Sequence, residues 1–288
     1  MNLSNLDTYR EDFNRDGFVM VRNAIKADQL AELRNELNGW IEESKRFTSD
    51  YGITIDGRPR FDVEPNSHSA KSPALRRISS PIEISQAFLD FSRNNLALDL
   101  TAHIFGPNIK LVNSKINLKL PGSGTAVKYH QDFPFEPHSN DNLMTALFFL
   151  DNVTQQNGPL EVVPGTHKEE IHTLWQEGIF TGFVSKDVEE TAKESAVKCI
   201  GEAGDACLMH TRVLHGSAPN HTDKPRSLFI VCYAAEDAIA LDKNHIPSKF
   251  DGEIVRGVKT GRVRTTVFNM DLPEYPKETS FFGQQAKT

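Results

Sequence analysis

Cysteine is scarce in this 288-residue sequence. There are three, Cys199, Cys207 and Cys232, and no Cys-x-x-Cys pair. An odd, scattered set of thiols argues against a disulfide framework and against a thiolate zinc site; it points to buried, reduced thiols in a cytoplasmic protein. Long apolar runs are also missing. The longest, Leu143 to Leu150, is the length of a strand, far below the roughly 20 residues that a membrane span needs. The opening residues Met-Asn-Leu-Ser-Asn-Leu-Asp carry no basic segment ahead of an apolar one, so no secretory signal is expected. A basic block or stripe is absent as well, and the net charge is −7 with a pI of about 5.8. Nucleic acid and a membrane surface are therefore not expected partners. Internal repeats, low-complexity tracts and Pro/Gly/Ser linkers are not found.

What is present is ordinary for a globular chain: 38% apolar and 25% charged residues. Residues 6–15 read as a short helix, followed by a strand around Phe18 to Val21. Residues 27–44 read as an amphipathic helix, because Leu30, Leu33, Leu37 and Trp40/Ile41 recur at helical spacing. The polar stretch 48–73 reads as a long loop, and loops of that length are usually functional. Residues 83–105 read as one or two helices ending near Gly106-Pro107. From Ile109 the texture changes to short β-rich runs at 109–120, 143–150, 160–163, 206–209 and 227–233, separated by Gly, Pro, Asn and Asp. Helices first and strands later predict a mainly β core with an N-terminal helical layer.

The sharpest chemical signal is Tyr129-His130-Gln131-Asp132-Phe133. On a strand, residues two apart share a face, so His130 and Asp132 would present an imidazole nitrogen and a carboxylate side by side. His215, within Val213-Leu214-His215-Gly216-Ser217, is the best candidate for a third ligand. Two histidines and one carboxylate on a single face leave the opposite face of a metal open, the ligand set of non-haem Fe(II) oxygenases. A lone His-x-Asp, taken by itself, also occurs in surface turns and as a satisfied polar pair.

Around this motif the chain resembles the phytanoyl-CoA dioxygenase-like family. That family is a branch of the 2-oxoglutarate-dependent oxygenases that includes ectoine hydroxylase and some proline hydroxylases. The resemblance runs from about Asp16 to Asp237 and rests on five stretches: Asp16-Gly17-Phe18-Val19; Ser114-Lys115-Ile116-Asn117; Tyr129-His130-Gln131-Asp132; Asn157-Gly158-Pro159-Leu160 through Pro164-Gly165-Thr166-His167; and Gly204-Asp205 through His215-Gly216-Ser217-Ala218-Pro219-Asn220 to Arg226. It implies a double-stranded β-helix (a cupin-like jelly roll) with Fe(II) at one end, 2-oxoglutarate as co-substrate and O2 as oxidant. It further implies one domain over 1–288, with a helical part to about 108, a jelly-roll core over about 109–237 and a C-terminal extension over about 238–288.

By the resemblance, His130, Asp132 and His215 match the iron ligands. Arg226 matches the arginine that grips the far carboxylate of 2-oxoglutarate, a task suited to a planar guanidinium. Asn117 matches an amide that helps to hold 2-oxoglutarate, with Asn113 and Ser217 as further candidates. Two departures stand out. Some relatives carry Arg-x-Ser after the distal histidine, whereas here the run is Arg226-Ser227-Leu228, so a second contact to the far carboxylate is unassigned. Tyr129 stands where relatives have tryptophan or proline, a position expected to shape the substrate side.

Phe133, Phe135 and Trp175 could line a substrate pocket or pack in the core, and Gln131 and Lys115 could touch a polar substrate or serve solvated or structural roles. His167 is expected as a structural turn residue. His210 is expected to face away from His215, the offset being odd. Retention of Asp132 favours hydroxylation, or a related desaturation or ring closure, over halogenation, which needs that coordination position free. The segments 48–73 and 168–198 are the expected lids. A small polar metabolite, amino-acid-like or ectoine-like, is favoured as substrate; an acyl-CoA is the alternative, although no Lys/Arg cluster for a coenzyme A phosphate stands out. Rival classes are a zinc hydrolase on the same three ligands and a non-catalytic cupin-like binding protein. A monomer and a homodimer are both compatible with the sequence.

Overall fold

The strand from Arg226 to Ala235 is buried along its whole length, and the architecture follows from what each of its faces meets. The computed structural model describes residues 3–122 and 124–275, with Phe282 and Gln285, and side chains from residue 6 onward. In chain order the elements are α1 (Leu3–Asp16), β1 (Phe18–Val21), α2 (Ala27–Ser44), β2 (Phe61–Val63), β3 (Leu75–Ser79), α3 (Gln86–Arg93), α4 (Leu96–Phe105) and β4 (Ile109–Lys119). There follow β5 (Val127–His130), β6 (Leu143–Phe149), β7 (Leu160–Val162), β8 (Trp175–Gln176), β9 (Ile179–Phe180) and α5 (Lys186–Ser195). The last are β10 (Val197–Cys199), β11 (Ala206–His210), β12 (His215–Ser217), β13 (Arg226–Ala235) and β14 (Ile254–Arg256). Among the described residues no helix is long and apolar enough to cross a membrane.

The strands form two main antiparallel sheets. The large one runs β1-β11-β6-β13-β4-β3-β2, with β14 also paired to β4, and the small one runs β10-β7-β12-β5. This is the mainly β jelly-roll architecture with helices at its N-terminal end. Phe229, Val231 and Tyr233 of β13 and Met144, Ala146 and Phe148 of β6 pack beneath the helices. Their alternate neighbours Leu228, Ile230, Leu147 and Phe149 turn inward, against Leu160 and Val162 of the small sheet. Both faces of these central strands are therefore apolar, and for that reason the sequence shows them as continuous runs without alternation.

The local signals explain the helix boundaries. The expected helix at 83–105 is a 3-10 turn over Pro81–Glu83 followed by α3 and α4. Ser85 caps α3 by accepting from the Phe88 N–H, and Asn95 caps α4 by accepting from the Leu98 N–H. The stretch 48–73 is not simply a loop: it holds β2, which pairs with β3, and a bridge from Tyr51 to Phe61.

One irregularity positions the functional face. In the β13–β4 ladder Cys232 pairs with Asn113 but Tyr233 pairs with Leu111, leaving Val112 as a bulge. A bulge reverses which residues face inward. Leu111 packs beneath the helices, and so do Ile116 and Leu118 beyond it, while the intervening Lys115, Asn117 and Lys119 line the interior cavity.

The helix-facing core rests on stacked aromatics. The Phe229 ring lies 4.7 Å from Phe88, 6.3 Å from Phe91 and 6.1 Å from Phe148. Phe229→Ala is expected to cost about 3–5 kcal/mol, read as a lower midpoint in urea denaturation with an unchanged slope.

Candidate metal centre and co-substrate pocket

The ladder between β5 and β12 places His130 directly opposite His215, so two side chains remote in the sequence meet at one end of the small sheet. Asp132 reaches the same point by a different route from the expected strand alternation. β5 ends at His130, and Asp132 opens a 3-10 turn over Phe133–Phe135. His130 Nε2 lies 3.6 Å and His215 Nε2 3.8 Å from Asp132 Oδ1, and the two imidazole centroids are 4.2 Å apart. The three donor atoms form a cluster within 4.8 Å. The two gaps to Asp132 are each shorter than twice a metal–ligand bond of about 2.1 Å, so one ion can bridge them.

The surroundings orient the donors for that task. His130 Nδ1 donates to the Lys128 carbonyl and His215 Nδ1 to the Val213 carbonyl, each at 2.9 Å. Both rings thereby turn Nε2, with its lone pair, toward Asp132. Asp132 Oδ2 accepts from Thr145 Oγ1 at 2.9 Å, which leaves Oδ1 for the metal. Burial pushes the Asp132 carboxyl up, but His215, Lys115 and the hydrogen-bonded His130 outweigh it and hold the group well below the usual carboxylate range. Burial, reinforced by the charge of His130, lowers His215 to about 4. The donor set is thus an ionised carboxylate and a neutral imidazole, as metal ligation requires, and the residues fit Fe(II).

The triad opens into a cavity of about 1030 Å³, its mouth included. At one end lie Arg226 and Lys119, paired across β13 and β4. Arg226 is 3% exposed, and its Nε donates to the Gly158 carbonyl at 2.9 Å. No carboxylate lies within ion-pairing distance of it among the described residues; Asp151 acts only at longer range, and burial lowers the guanidinium to about 9. Lys119 Nζ donates to Ser217 Oγ at 2.7 Å and to the Ala218 carbonyl. Burial and the charge of Arg226 hold that amine well below its ordinary value. Gly158 sits at φ +77°, and a Cβ there would meet the Ala218 carbonyl at 2.6 Å and the Lys119 side chain at 2.8 Å. Only glycine lets this turn seat Arg226 and Lys119 together.

The other expected site residues divide. Asn117 lines the cavity with a buried Oδ1 that has no partner among the described residues, and Ser217, Phe135 and Lys115 also line it. Asn113 lies deeper, donating to Glu136 at 2.6 Å. Gln131 points away from the cavity: its amide donates to the Glu170 and Arg212 carbonyls and accepts from the His172 N–H. Phe133 is fully buried against Phe268, also outside the cavity. Neither is on the substrate side: with His130 and Asp132 turned to the cavity, Gln131 is taken up by backbone groups and Phe133 by an apolar cluster. Tyr129 likewise faces outward, donating to Glu161 at 2.9 Å. Trp175 lies outside the cavity, packing on Phe180 at 5.3 Å.

His167 packs beside His210, their rings 5.4 Å apart. His210 ends β11, a different strand from the one that His215 opens, so the alternation expected between those two does not operate. Of the two expected lids, 48–73 contributes Arg58 to the cavity. Segment 168–198 packs Leu174, Phe180 and Val184 behind Tyr129 and Phe135.

Sequence reasoning missed Lys119, Arg77, Arg58 and His245, all of which line the cavity. The alternation Asn113-x-Lys115-x-Asn117-x-Lys119 was a usable signal for the first. The others come from strands and loops far away in sequence and carry no motif.

A family model described as phytanoyl-CoA dioxygenase matches residues 13–228. A probable alpha-ketoglutarate-dependent hypophosphite dioxygenase of Stutzerimonas stutzeri is 32% identical over 277 residues, covering 93% of this chain and 91% of the relative. An ectoine dioxygenase of Streptomyces coelicolor is 28% identical over 244 residues, covering 78% and 76%. Among solved structures, EctD from S. alaskensis in its apoform aligns with a TM-score of 0.66 at 18% identity, covering 94% of this chain and 88% of that one.

Proposed function

The chain belongs to the phytanoyl-CoA dioxygenase family, and from that premise we propose that it is an Fe(II)- and 2-oxoglutarate-dependent dioxygenase hydroxylating a small polar metabolite, with release of succinate and carbon dioxide. One observation carries this reading: a convergent His130–Asp132–His215 set shares a cavity with Arg226, a buried guanidinium that lacks a carboxylate partner among the described residues. A buried cation without a counterion is costly, and a dicarboxylate co-substrate removes that cost. The relatives named above are named for hypophosphite and ectoine, both small and polar, which favours a small metabolite over an acyl-CoA.

Bound at the triad, Fe(II) would supply activation of O2 coupled to oxidative decarboxylation of 2-oxoglutarate, one oxygen atom going to succinate and one to the substrate. The chain's own residues do the positioning. Arg226 offers its terminal nitrogens to the far carboxylate as a fork. Lys119, held by Ser217, adds a second contact, filling the place that the Arg226-Ser227-Leu228 run left unassigned. Asn117 offers its amide between that carboxylate and the metal. Thr145 fixes the Asp132 carboxylate, and the two backbone carbonyls fix the imidazoles. Leu147, Leu160, Met209, Leu228 and Ile230 wall the cavity with apolar surface and keep water from the reacting centre. The three cysteines are buried free thiols, which supports a reducing compartment such as the cytoplasm.

A zinc hydrolase would use the same three ligands but has no task for Arg226 and Lys119. A succinate-release assay separates the two readings. The Fe(II)-loaded protein is expected to form succinate only with 2-oxoglutarate and O2, faster when the right small metabolite is added. Substrate turnover that proceeds at full rate without 2-oxoglutarate would overturn the assignment.

A further inference from the structure

Besides Arg226 and Lys119, the cavity is lined by a second pair of cations, Arg77 and Lys115. Lys115 and Lys119 share the inward face of β4 four residues apart, a separation of about 13 Å along the strand at about 3.4 Å per residue. A co-substrate anchored at Arg226 and on the triad leaves Lys115 unoccupied. Beside Lys115 stands Arg77: β3 and β4 pair Arg77 with Asn117 and Ser79 with Lys115, so all four side chains share one face. Both cations lie in the field of Asp132.

These groups are not structural. Arg77 is 5% exposed, makes no hydrogen bond or ion pair among the described residues, and has a buried, unpartnered Nε. Its nearby acid, Asp62, is engaged by Arg76 at 2.5 Å. Its guanidinium lies over the Phe282 ring, 5.9 Å from the ring centroid. Arg60, equally buried, shows what a structural arginine does here: it donates to the Ile53, Ser79 and Ser80 carbonyls and pairs with Glu83 at 2.8 Å. Lys115 Nζ likewise has no partner among the described residues, whereas Lys119 and Lys110 each donate to a backbone carbonyl. His245 adds a buried Nδ1 on the same cavity, without a partner among the described residues. Unused donors of one sign, converging on one end of a cavity, mark the place of a ligand oxyanion.

Resting on the dioxygenase reading, we infer that the Arg77–Lys115 end of the cavity binds the substrate through a small anionic head group, a phosphonate or a carboxylate. Arg77 supplies a fork of N–H donors and Lys115 a point charge, and the reacting C–H is presented to the metal from that anchor. The site lies inside the cavity, so the anion is part of a compact substrate.

The test is calorimetry under anaerobic conditions on the full chain loaded with Fe(II) and saturated with 2-oxoglutarate. The probes are ethylphosphonate, propionate and the neutral diethyl ester of ethylphosphonate. One or both oxyanions are expected to bind, with the neutral ester weaker by about tenfold or more. Arg77→Met is expected to weaken the oxyanion by about thirtyfold, with Arg77→Lys intermediate and Lys115→Met also weakened. Affinity for 2-oxoglutarate should stay within about threefold in the Arg77 variants, which also reports that they are folded. Whichever oxyanion binds more tightly assigns the head-group chemistry. Equal binding of the neutral ester, or wild-type oxyanion affinity in Arg77→Met, would overturn the inference. If 2-oxoglutarate itself failed to bind the Fe(II)-loaded wild type, the dioxygenase reading would fall instead.

Discussion

With His130 and His215 both replaced by alanine, the protein is expected to lose stoichiometric Fe(II) binding and all 2-oxoglutarate turnover while remaining folded. The paired imidazoles face each other across β5 and β12 and supply two of the three donors. Removing outer partners of a metal ligand alone typically costs roughly 10–100-fold in metal affinity or activity, so loss of two ligands should exceed that range. Each histidine ring is oriented by an Nδ1 bond to a backbone carbonyl, and the alanines leave the backbone pairing of β5 and β12 in place. The graded controls are Thr145→Val, which frees Asp132 Oδ2 and is expected to cost about 10–100-fold, and Asp132→Ala, which is expected to end hydroxylation. Metal content by elemental analysis and circular dichroism read the two halves of this expectation separately.

The second large effect belongs to Arg226. Arg226→Ala is expected to raise the KM for 2-oxoglutarate by about a hundredfold or more, since each hydrogen bond to a charged group is worth about 1.5–3 kcal/mol. The kcat at saturating co-substrate should fall much less, because the interaction is made in ground state and transition state alike. Arg226→Lys should resemble alanine more than wild type, a point charge being a poor substitute for a fork. Lys119→Met is expected to show a smaller effect in the same direction. Steady-state kinetics with 2-oxoglutarate as the varied component measure all three. Stability should respond less than activity, because the native guanidinium forms one hydrogen bond, to the Gly158 carbonyl, and no ion pair among the described residues.

One long helix and the candidate metal site were legible in the sequence for physical reasons. The helix over residues 27–44 shows its apolar stripe because only one face is buried. The metal triad and Arg226 were legible because ligand chemistry restricts residue type, and their wording repeats across a family. Strands of three or four residues, such as β2, β5, β10 and β12, carry too few positions to establish a period. The bulge at Val112 was likewise invisible, since it depends on the partner strand. The neighbours Gln131 and Phe133 were tempting only for their adjacency to the ligands, and adjacency in sequence puts a side chain on the opposite face as readily as on the same one. Arg77 and His245 reach the cavity from opposite ends of the chain, and no local pattern connects residues that only the sheet brings together.

The most direct measurement is an anaerobic titration of the Fe(II)-loaded protein with 2-oxoglutarate, followed by the visible charge-transfer absorption of a 2-oxo acid chelated to Fe(II). The expected result is a band that saturates at one equivalent in the wild type and is absent when His130 and His215 are both alanine. A wild-type protein that takes up Fe(II) yet develops no band, or a double variant that develops the full band, would contradict the placement of metal and co-substrate on these residues.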